Sequence, residues 1–524
     1  MGRCDFTEED LAQIRRHGLT PDTVKKQVRL FKAPPPYLKL LAPCTHGDGI
    51  RRIDPKDIRD LTKAYEREAE KGRCLKFVPA SGAASRMFRT LLKFLNRQEQ
   101  ILRESIFEHA ERGDTEAKEL LRFMNGIKQF AFLEDLESVM SAQGLNPEAL
   151  RQEGRFTEFL RFLLTETGLN YSNLPKGLLK FHTYPDGSRT AFEEHLVEAV
   201  HYLTDQQKTC SCHFTVSQEH LKAFRELLKK RKPTYEKRYR ISFQVDFSSQ
   251  KKSTDTLAVD LENRPFRKEN GRLLFRPGGH GALLDNLNDL KGDIVFIKNI
   301  DNVACDRLNA STILWKKILG GYLVHIQKHV FEFVQRLALG DVTKQFLNQV
   351  HEFMREELHL AVSYSTGDAA PEEIQAMLLE KLNRPIRVCG MVRNVGEPGG
   401  GPFWVKGPHG ERTPQIVETA QVDPDSKTQQ AILAQSTHFN SVDLVCGVRD
   451  RQGSPFDLRN YVDPKAVFIS RKSEGGKALK ALEHPGLWNG AMAGWITCFV
   501  EVPDITFNPV KTVNDLLRNA HQPE

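Results

Sequence analysis

A chain of 524 residues, 40% hydrophobic and 27% charged, has the composition of an ordinary globular protein, long enough to bury a large core and to form roughly two to four domains. Its 75 Lys and Arg against 68 Asp and Glu leave a net charge of +7, mild and interleaved, which argues against a chain built to hold nucleic acid. No run approaches the roughly 18 apolar residues that span a bilayer. The opening carries Asp5, Glu8, Glu9 and Asp10 without an apolar signal core, and the nine cysteines are odd in number and scattered. The expectation is a cytoplasmic protein that meets neither membrane nor nucleic acid.

In chain order, residues 1–72 read as a helical and extended arm: a capped helix from Thr7 to Arg16, an extended tract at Pro34-Pro35-Pro36 and a charged helix over 55–71. The main α/β region is expected over 73–517, with 518–524 as a tail. Cys74 to Ala80 predicts a strand, Ser81-Gly82-Ala83-Ala84-Ser85-Arg86-Met87 a small-residue loop, and Phe88 to Leu95 a helix. That order offers backbone donors and Arg86 to an anion, although such loops also serve packing alone. Residues 96–169 are helical and charged, an insertion. Pro175 and Gly177 then hold Lys176 in a turn.

His182 to Arg189 predicts a hairpin or loop, Ala191 to Leu203 a helix, Cys212 to Val216 a strand and Gln218 to Lys230 a helix. The basic runs on either side of Pro233 read as a solvated helix end, a turn and the entrance to a strand over Tyr239 to Phe247. Ser248-Ser249-Gln250-Lys251 ends that strand. Cys210, Cys212 and His213 fit a strand edge better than a metal site, since no second cluster accompanies them.

The stretch from Phe275 to Asn302 organises the rest. Pro277-Gly278-Gly279-His280-Gly281 forms a glycine loop, Ala282 to Leu290 a short helix, and the β-branched Asp293 to Ile297 a buried strand. Its end carries Lys298, Asn299, Asp301 and Asn302 to where open α/β sheets keep ligands. Asp301 is the first candidate for a metal ligand, with a plain turn cap as the alternative. Residues 310–382 are helical, with breaks at Gly340-Asp341 and Ser365-Thr366-Gly367. Strands follow at Ile386 to Val392, Gln415 to Gln421 and His438 to Val445, and a last helix starts near Thr512. The alternation predicts a mostly parallel mixed sheet with helices on both faces.

Several of these segments, in this order, resemble motifs of the UDP-sugar pyrophosphorylases of the UDP-glucose pyrophosphorylase type, uridylyltransferases of the GT-A-like nucleotidyltransferase superfamily. Pro277 to Gly281 is similar to that family's proline-glycine-histidine-glycine loop, and Asn299-Ile300-Asp301-Asn302 to its metal-binding turn. Gln415 to Val422, His438 to Leu444 and Pro509 to Leu517 resemble three later motifs, and Pro175-Lys176-Gly177 its proline-lysine turn. The first loop departs from the pattern, keeping one glycine at Gly82 and placing methyl groups at Ala83 and Ala84. The chain is also expected to fall in a bacterial family catalogued as a domain of unknown function.

The resemblance implies a GT-A-like fold and a transfer in which a sugar 1-phosphate attacks a nucleoside triphosphate, UTP first among candidates, releasing pyrophosphate with the help of Mg²⁺. It assigns Asp301 to the metal and Lys176, Lys511 and Arg86 to the phosphates. Gly82, Ala83, Gln250, Gly279 and His280 are assigned to the nucleotide, and Glu418 and Asn440 to the sugar. Two other readings stay open, a glycosyltransferase using a UDP-sugar donor and a non-catalytic sensor of nucleotide sugars. Lys511 taken locally is also a solvated lysine before a helix. Asp301→Ala is expected to abolish turnover without changing the melting temperature. The identity of the sugar and the oligomeric state are not encoded in these motifs.

Overall fold

The computed structural model describes residues 6–523 except 35, 98–99, 341, 361–370, 397–398 and 408–409. Pro35, Asp341 and the break expected at Ser365-Thr366-Gly367 lie outside the described residues. The fold is mixed α/β with a large, mostly parallel sheet. The chain divides into two compact units, one of Met1–Phe77, Ser248–Ile297 and Lys316–Asp504, the other of Val78–Phe247, Lys298–Trp315 and Ile505–Glu524.

In the first unit neighbouring strands run in the order Thr45–His46, Gly49–Arg51, Ile496–Glu501, Ile386–Arg393, His438–Gly447, Ile294–Lys298 and Cys74–Pro79. Ile294–Lys298 runs parallel to Cys74–Pro79, and Ile386–Arg393 parallel to Ile496–Glu501, whereas His438–Gly447 is antiparallel to Ile386–Arg393. All five residues of Ile294–Lys298 are buried, as its β-branched sequence requires of an interior strand. Ile14, Leu19, Val24 and Val28 form a core with Leu257 and Leu273, and Gly49–Arg51 joins the sheet. The second N-terminal helix, Pro21–Lys32, was not expected, yet its start is fully signalled by Thr20 capping the Thr23 N–H and by Pro21 in the first turn.

The hairpin Phe468–Glu474 with Lys477–Glu483 was also unforeseen, because Arg471, Lys472 and Lys480 break the apolar alternation by which strands are recognised. The strand expected over Gln415 to Gln421 instead spans Arg412–Val417 and gives way to a 3₁₀ turn, Thr419–Gln421. Glu418 and Gln421 close that turn through reciprocal side-chain to backbone bonds.

In the second unit the described residues between Asn96 and Leu169 form five helices, Arg103–Glu111, Thr115–Asn125, Leu133–Ala142, Pro147–Gln152 and Thr157–Leu164. Lys180–Tyr184 and Gly187–Thr190 pair as a hairpin, and Thr209–Thr215 lies beside Ser242–Ser248. The turn expected at Pro233 does not occur: one helix runs from Leu221 to Tyr239 with Pro233 inside it. An interior proline costs about 3 kcal/mol, and two anchors beside it offset the cost. The Arg231 guanidinium and the Tyr235 hydroxyl both donate to Glu193 Oε1. The helix stops at Arg240, whose φ of 54° turns the chain into the next strand.

Candidate active site

Within the second unit the turn after Ile294–Lys298 is fixed from below. The sequence places Lys298 among the residues offered to a ligand, but the structure turns it inward. Its Nζ lies 2.6 Å from Glu198 Oε2, with both side chains almost wholly buried. His195 Nε2 sits 3.2 Å from the carbonyl of Ile300. An unpaired charge at that depth would cost several kcal/mol, about the scale of a broken buried ion pair, so Glu198 accounts for the inward lysine. No motif marked Glu198, which is one of three glutamates on the largely buried helix Ala191–Leu203.

Above that floor, Asp301 gathers two lysines from distant parts of the sequence. Lys176 Nζ donates to Asp301 Oδ2 at 2.8 Å and to the Val510 carbonyl at 2.6 Å, and Lys511 Nζ approaches the same Oδ2 at 3.3 Å. The other carboxylate oxygen, Oδ1, is buried and has no hydrogen-bond partner. Burial alone would raise the Asp301 pKa, but the Lys176 and Lys511 charges outweigh it and hold the carboxyl below its ordinary value. The Lys176 side chain is 12% exposed and that of Lys511 55%. One cation is therefore part of the floor, and the other stands at the surface.

The backbone explains how the three meet. Pro175 bridges Ala83, and the Lys176 N–H donates to the Gly82 carbonyl at 3.2 Å, so the first loop and the lysine turn form one unit. Gly177 is needed there, since a Cβ would lie 2.8 Å from the Phe224 ring. The C-terminal segment is laced to the Asp301 turn by Val510 N–H to the Asp301 carbonyl at 3.0 Å and Asn508 N–H to Asn302 Oδ1 at 2.9 Å. Asp515 Oδ2 accepts from both the Lys511 and Thr512 N–H groups, at 2.8 and 2.7 Å. Thr512 opens a 3₁₀ turn, Val513–Leu517, in place of the expected helix.

Arg86 is exposed and closes the 3₁₀ turn Ala84–Arg86 that follows the first loop, while Ala84 is buried. A Cβ at Gly82 would meet nothing within 4 Å, so that loop is open and the methyl of Ala83 meets no obvious steric demand for glycine.

Among the described residues no group of three or more His, Cys, Asp or Glu gathers as a metal cluster. A magnesium ion does not need one. It takes one or two carboxylates and completes its shell with water and substrate phosphate oxygens, and the buried, unpartnered Oδ1 of Asp301 fits that donor set.

The remaining candidates lie in the first unit. Gly279 has φ 74°, and its neighbours are held by close packing: a Cβ at Gly278 would lie 2.3 Å from the His484 ring and one at Gly281 2.1 Å from the Pro485 carbonyl. His280 stacks on Trp488 at 4.4 Å, its Nδ1 accepts the Leu487 N–H at 3.1 Å, and its Nε2 lies 3.9 Å from Glu418 Oε1. Burial lowers the His280 pKa, so the ring is neutral at pH 7. Burial raises that of Glu418, with the Glu483 charge adding to it. Asn440 is buried, its Oδ1 accepting the Val442 N–H at 3.1 Å, which leaves the amide nitrogen as its free end. Gln250 Nε2 is buried without a partner. Asp443, two positions after Ser441, pairs with the fully buried Lys316 and is structural. Trp404 and Trp495 belong to the core.

The chain belongs to the family described as domain of unknown function DUF4301, which matches residues 7–522. No curated protein matches it. Among solved structures it is similar to the uridine diphosphate N-acetylglucosamine pyrophosphorylase of Trypanosoma brucei, at 13% identity and a TM-score of 0.47, covering 98% of this chain and 79% of that one. A T. brucei structure described as UDP-glucose phosphorylase is also similar at 13% identity and a TM-score of 0.44, with 97% and 77% covered. The UDP-glucose pyrophosphorylase of Leishmania major, in a mutant form bound to UDP-glucose, matches at 13% identity and 0.43, again with 97% and 77% covered.

Proposed function

We propose that this chain is a nucleotidyltransferase that joins a sugar 1-phosphate to the uridylyl group of UTP and releases pyrophosphate. The observation that carries the reading is the convergence of Lys176 and Lys511 on one oxygen of Asp301 while the other is buried and unpartnered. Two anions must meet in such a reaction, and a phosphate monoester is already nucleophilic at neutral pH. The protein therefore has to supply positive charge and orientation more than a base.

An oxygen of the sugar 1-phosphate forms a bond to the α-phosphorus of UTP, the bond from that phosphorus to the bridging oxygen breaks, and the electron pair leaves with pyrophosphate. Lys176, anchored on Asp301 and the Val510 carbonyl, holds a fixed charge against a phosphate oxygen. Lys511, more exposed and carried on a turn pinned by Asp515, swings from Asp301 to the incoming phosphate. Arg86 and the Gly82-Ala83 loop take the departing pyrophosphate. A magnesium ion bound at Asp301 Oδ1 would neutralise phosphate charge. Taken by itself, the first unit carries the residues proposed for uracil, Gln250, Gly279 and His280, and those proposed for sugar hydroxyls, Glu418 as acceptor and the Asn440 amide as donor.

The test is to incubate the full chain with Mg²⁺, each common ribonucleoside triphosphate and a panel of sugar 1-phosphates, following pyrophosphate. Release with UTP and one sugar phosphate is expected. Absence of release with every pair, alongside measurable UDP-sugar binding, overturns the reading in favour of a sensor.

A further inference from the structure

A second concavity of the second unit carries two cationic side chains, Lys118 and Arg122. An open groove of about 460 Å³ is lined by Lys118, Leu121, Arg122, Asn125, Gly126, Gln129 and Leu517, a size that suits a small metabolite. Lys118 and Arg122 stand one helical turn apart on Thr115–Asn125, where like charges repel each other. The acids of that helix are turned elsewhere: Glu116 pairs with Lys93, and Glu119 Oε2 takes the Thr90 hydroxyl. Asn125 Oδ1 accepts from the Arg103 guanidinium at 2.8 Å, which presents the amide nitrogen as the free end. Among the described residues no Asp or Glu lines the groove. Two cations and two carboxamides without a carboxylate are the complement of a ligand rich in acceptor oxygens.

The floor ties this groove to Lys511. A Cβ on Gly126 would lie 2.6 Å from Leu517, so the glycine is what seats that leucine. Leu517 ends the same 3₁₀ turn that holds Asp515, whose carboxylate pins the Lys511 and Thr512 N–H groups. Asn514 Nδ2 of that turn donates to the Glu119 carbonyl at 2.8 Å, back on the groove helix. We infer that the groove is an effector site for a small phosphorylated metabolite of sugar-phosphate size, acting on the position of Lys511 through Leu517 and Asp515. The binding claim stands on the groove alone; the regulatory claim rests on the proposed function of Lys511.

Calorimetry of the full chain with a hexose 6-phosphate tests it, with sulfate at equal ionic strength as the control. The Lys511→Gln variant is the reference, because it removes a cation of the phosphate cluster at Asp301. Binding is expected in that variant and is expected to weaken at least tenfold when Lys118→Gln and Arg122→Gln are added. Melting curves report whether the added changes leave the fold intact. Unchanged affinity, or equal affinity for sulfate, which would mark an adventitious ion only, overturns the site. In the otherwise native chain, saturating hexose 6-phosphate is expected to shift UTP affinity at least threefold, and not in the Lys118→Gln/Arg122→Gln form, because coupling between sites is reciprocal. An unshifted UTP affinity overturns the regulatory claim. A chain that fails to bind UTP at all fails the proposed function instead, and leaves the hexose phosphate measurement to judge the groove.

Discussion

Lys176 and Asp301, 125 residues apart in sequence, form an ion pair at 2.8 Å with side chains 12% and 11% exposed. The pair is buried structure as well as the centre of the proposed site, and this changes what mutation should do. Removing the carboxylate strands a lysine in a poorly hydrated place, which costs about 3–5 kcal/mol when a buried pair is broken. Asp301→Ala is therefore expected to lower the melting temperature by several degrees as well as to abolish turnover, contrary to the unchanged stability that the sequence predicted. Thermal unfolding and pyrophosphate release, measured on the same preparation, check both halves.

Lys511 should separate the two effects. Its side chain is 55% exposed and its ion pair with Asp301 is looser, at 3.3 Å, so Lys511→Ala is expected to leave stability within about 1 kcal/mol. Turnover should fall by about two to three orders of magnitude, the scale of one electrostatic group lost from a reaction centre. A large loss of stability with little loss of kcat would make Lys511 structural.

Asp515 is expected to act on Lys511 through the backbone. Asp515→Asn keeps the shape but weakens two charge-assisted bonds, to the Lys511 and Thr512 N–H groups. kcat should drop several-fold with KM for UTP little changed, and Asp515→Glu should restore less than half of it. A matched fall in stability and activity would point to folding alone.

Acid stability should depend on His521. Burial, with the neighbouring His182 and Arg518 charges, pushes its pKa down to about 3. The unfolded chain takes up a proton near pH 6.5 and the folded chain does not, so stability is intact above about pH 6.5 and declines as pH falls from there towards 3. The slope from this one group is about 1.4 kcal/mol per pH unit in that window. His521→Leu should flatten the pH dependence of the unfolding free energy between pH 6 and 4; an unchanged slope would contradict the burial argument.

Glycines give a contrasting pair. Gly281→Ala brings a Cβ to within 2.1 Å of the Pro485 carbonyl, whereas at Gly82 a Cβ meets nothing within 4 Å. The first change is expected to destabilise by about 1–3 kcal/mol, the usual range for forced overpacking. The second should be nearly silent in denaturant titration.

What could be read from the sequence follows from the range of the interactions concerned. The strand Ile294–Lys298 and the helix Glu8–Arg16 are set by local pattern, β-branching in one and the Thr7–Asp10 capping box in the other, so both were legible. The helix through Pro233 was not, because Glu193, which anchors it, lies 38 residues before Arg231. The turns bearing Lys176, Asp301 and Lys511 announced themselves through proline, glycine and asparagine. That their side chains meet on one oxygen, with Lys298 turned away to Glu198, is a long-range fact that no motif states. The glycine loop at 277–281 was legible as a loop, while the structure shows Gly278 and Gly281 making room for His484 and Pro485.

The central claim is that a bond forms to phosphorus and none breaks at the sugar. The most direct measurement uses UTP and a sugar 1-phosphate labelled with ¹⁸O in the bridge between the anomeric carbon and phosphorus, followed by mass spectrometry of the products. The account predicts a UDP-sugar that keeps the label in that bridge and unlabelled pyrophosphate. Label lost from the anomeric carbon would mean cleavage at the sugar, as in glycosyl transfer, and would contradict the assignment of Lys176, Lys511 and Asp301 to nucleotidyl transfer.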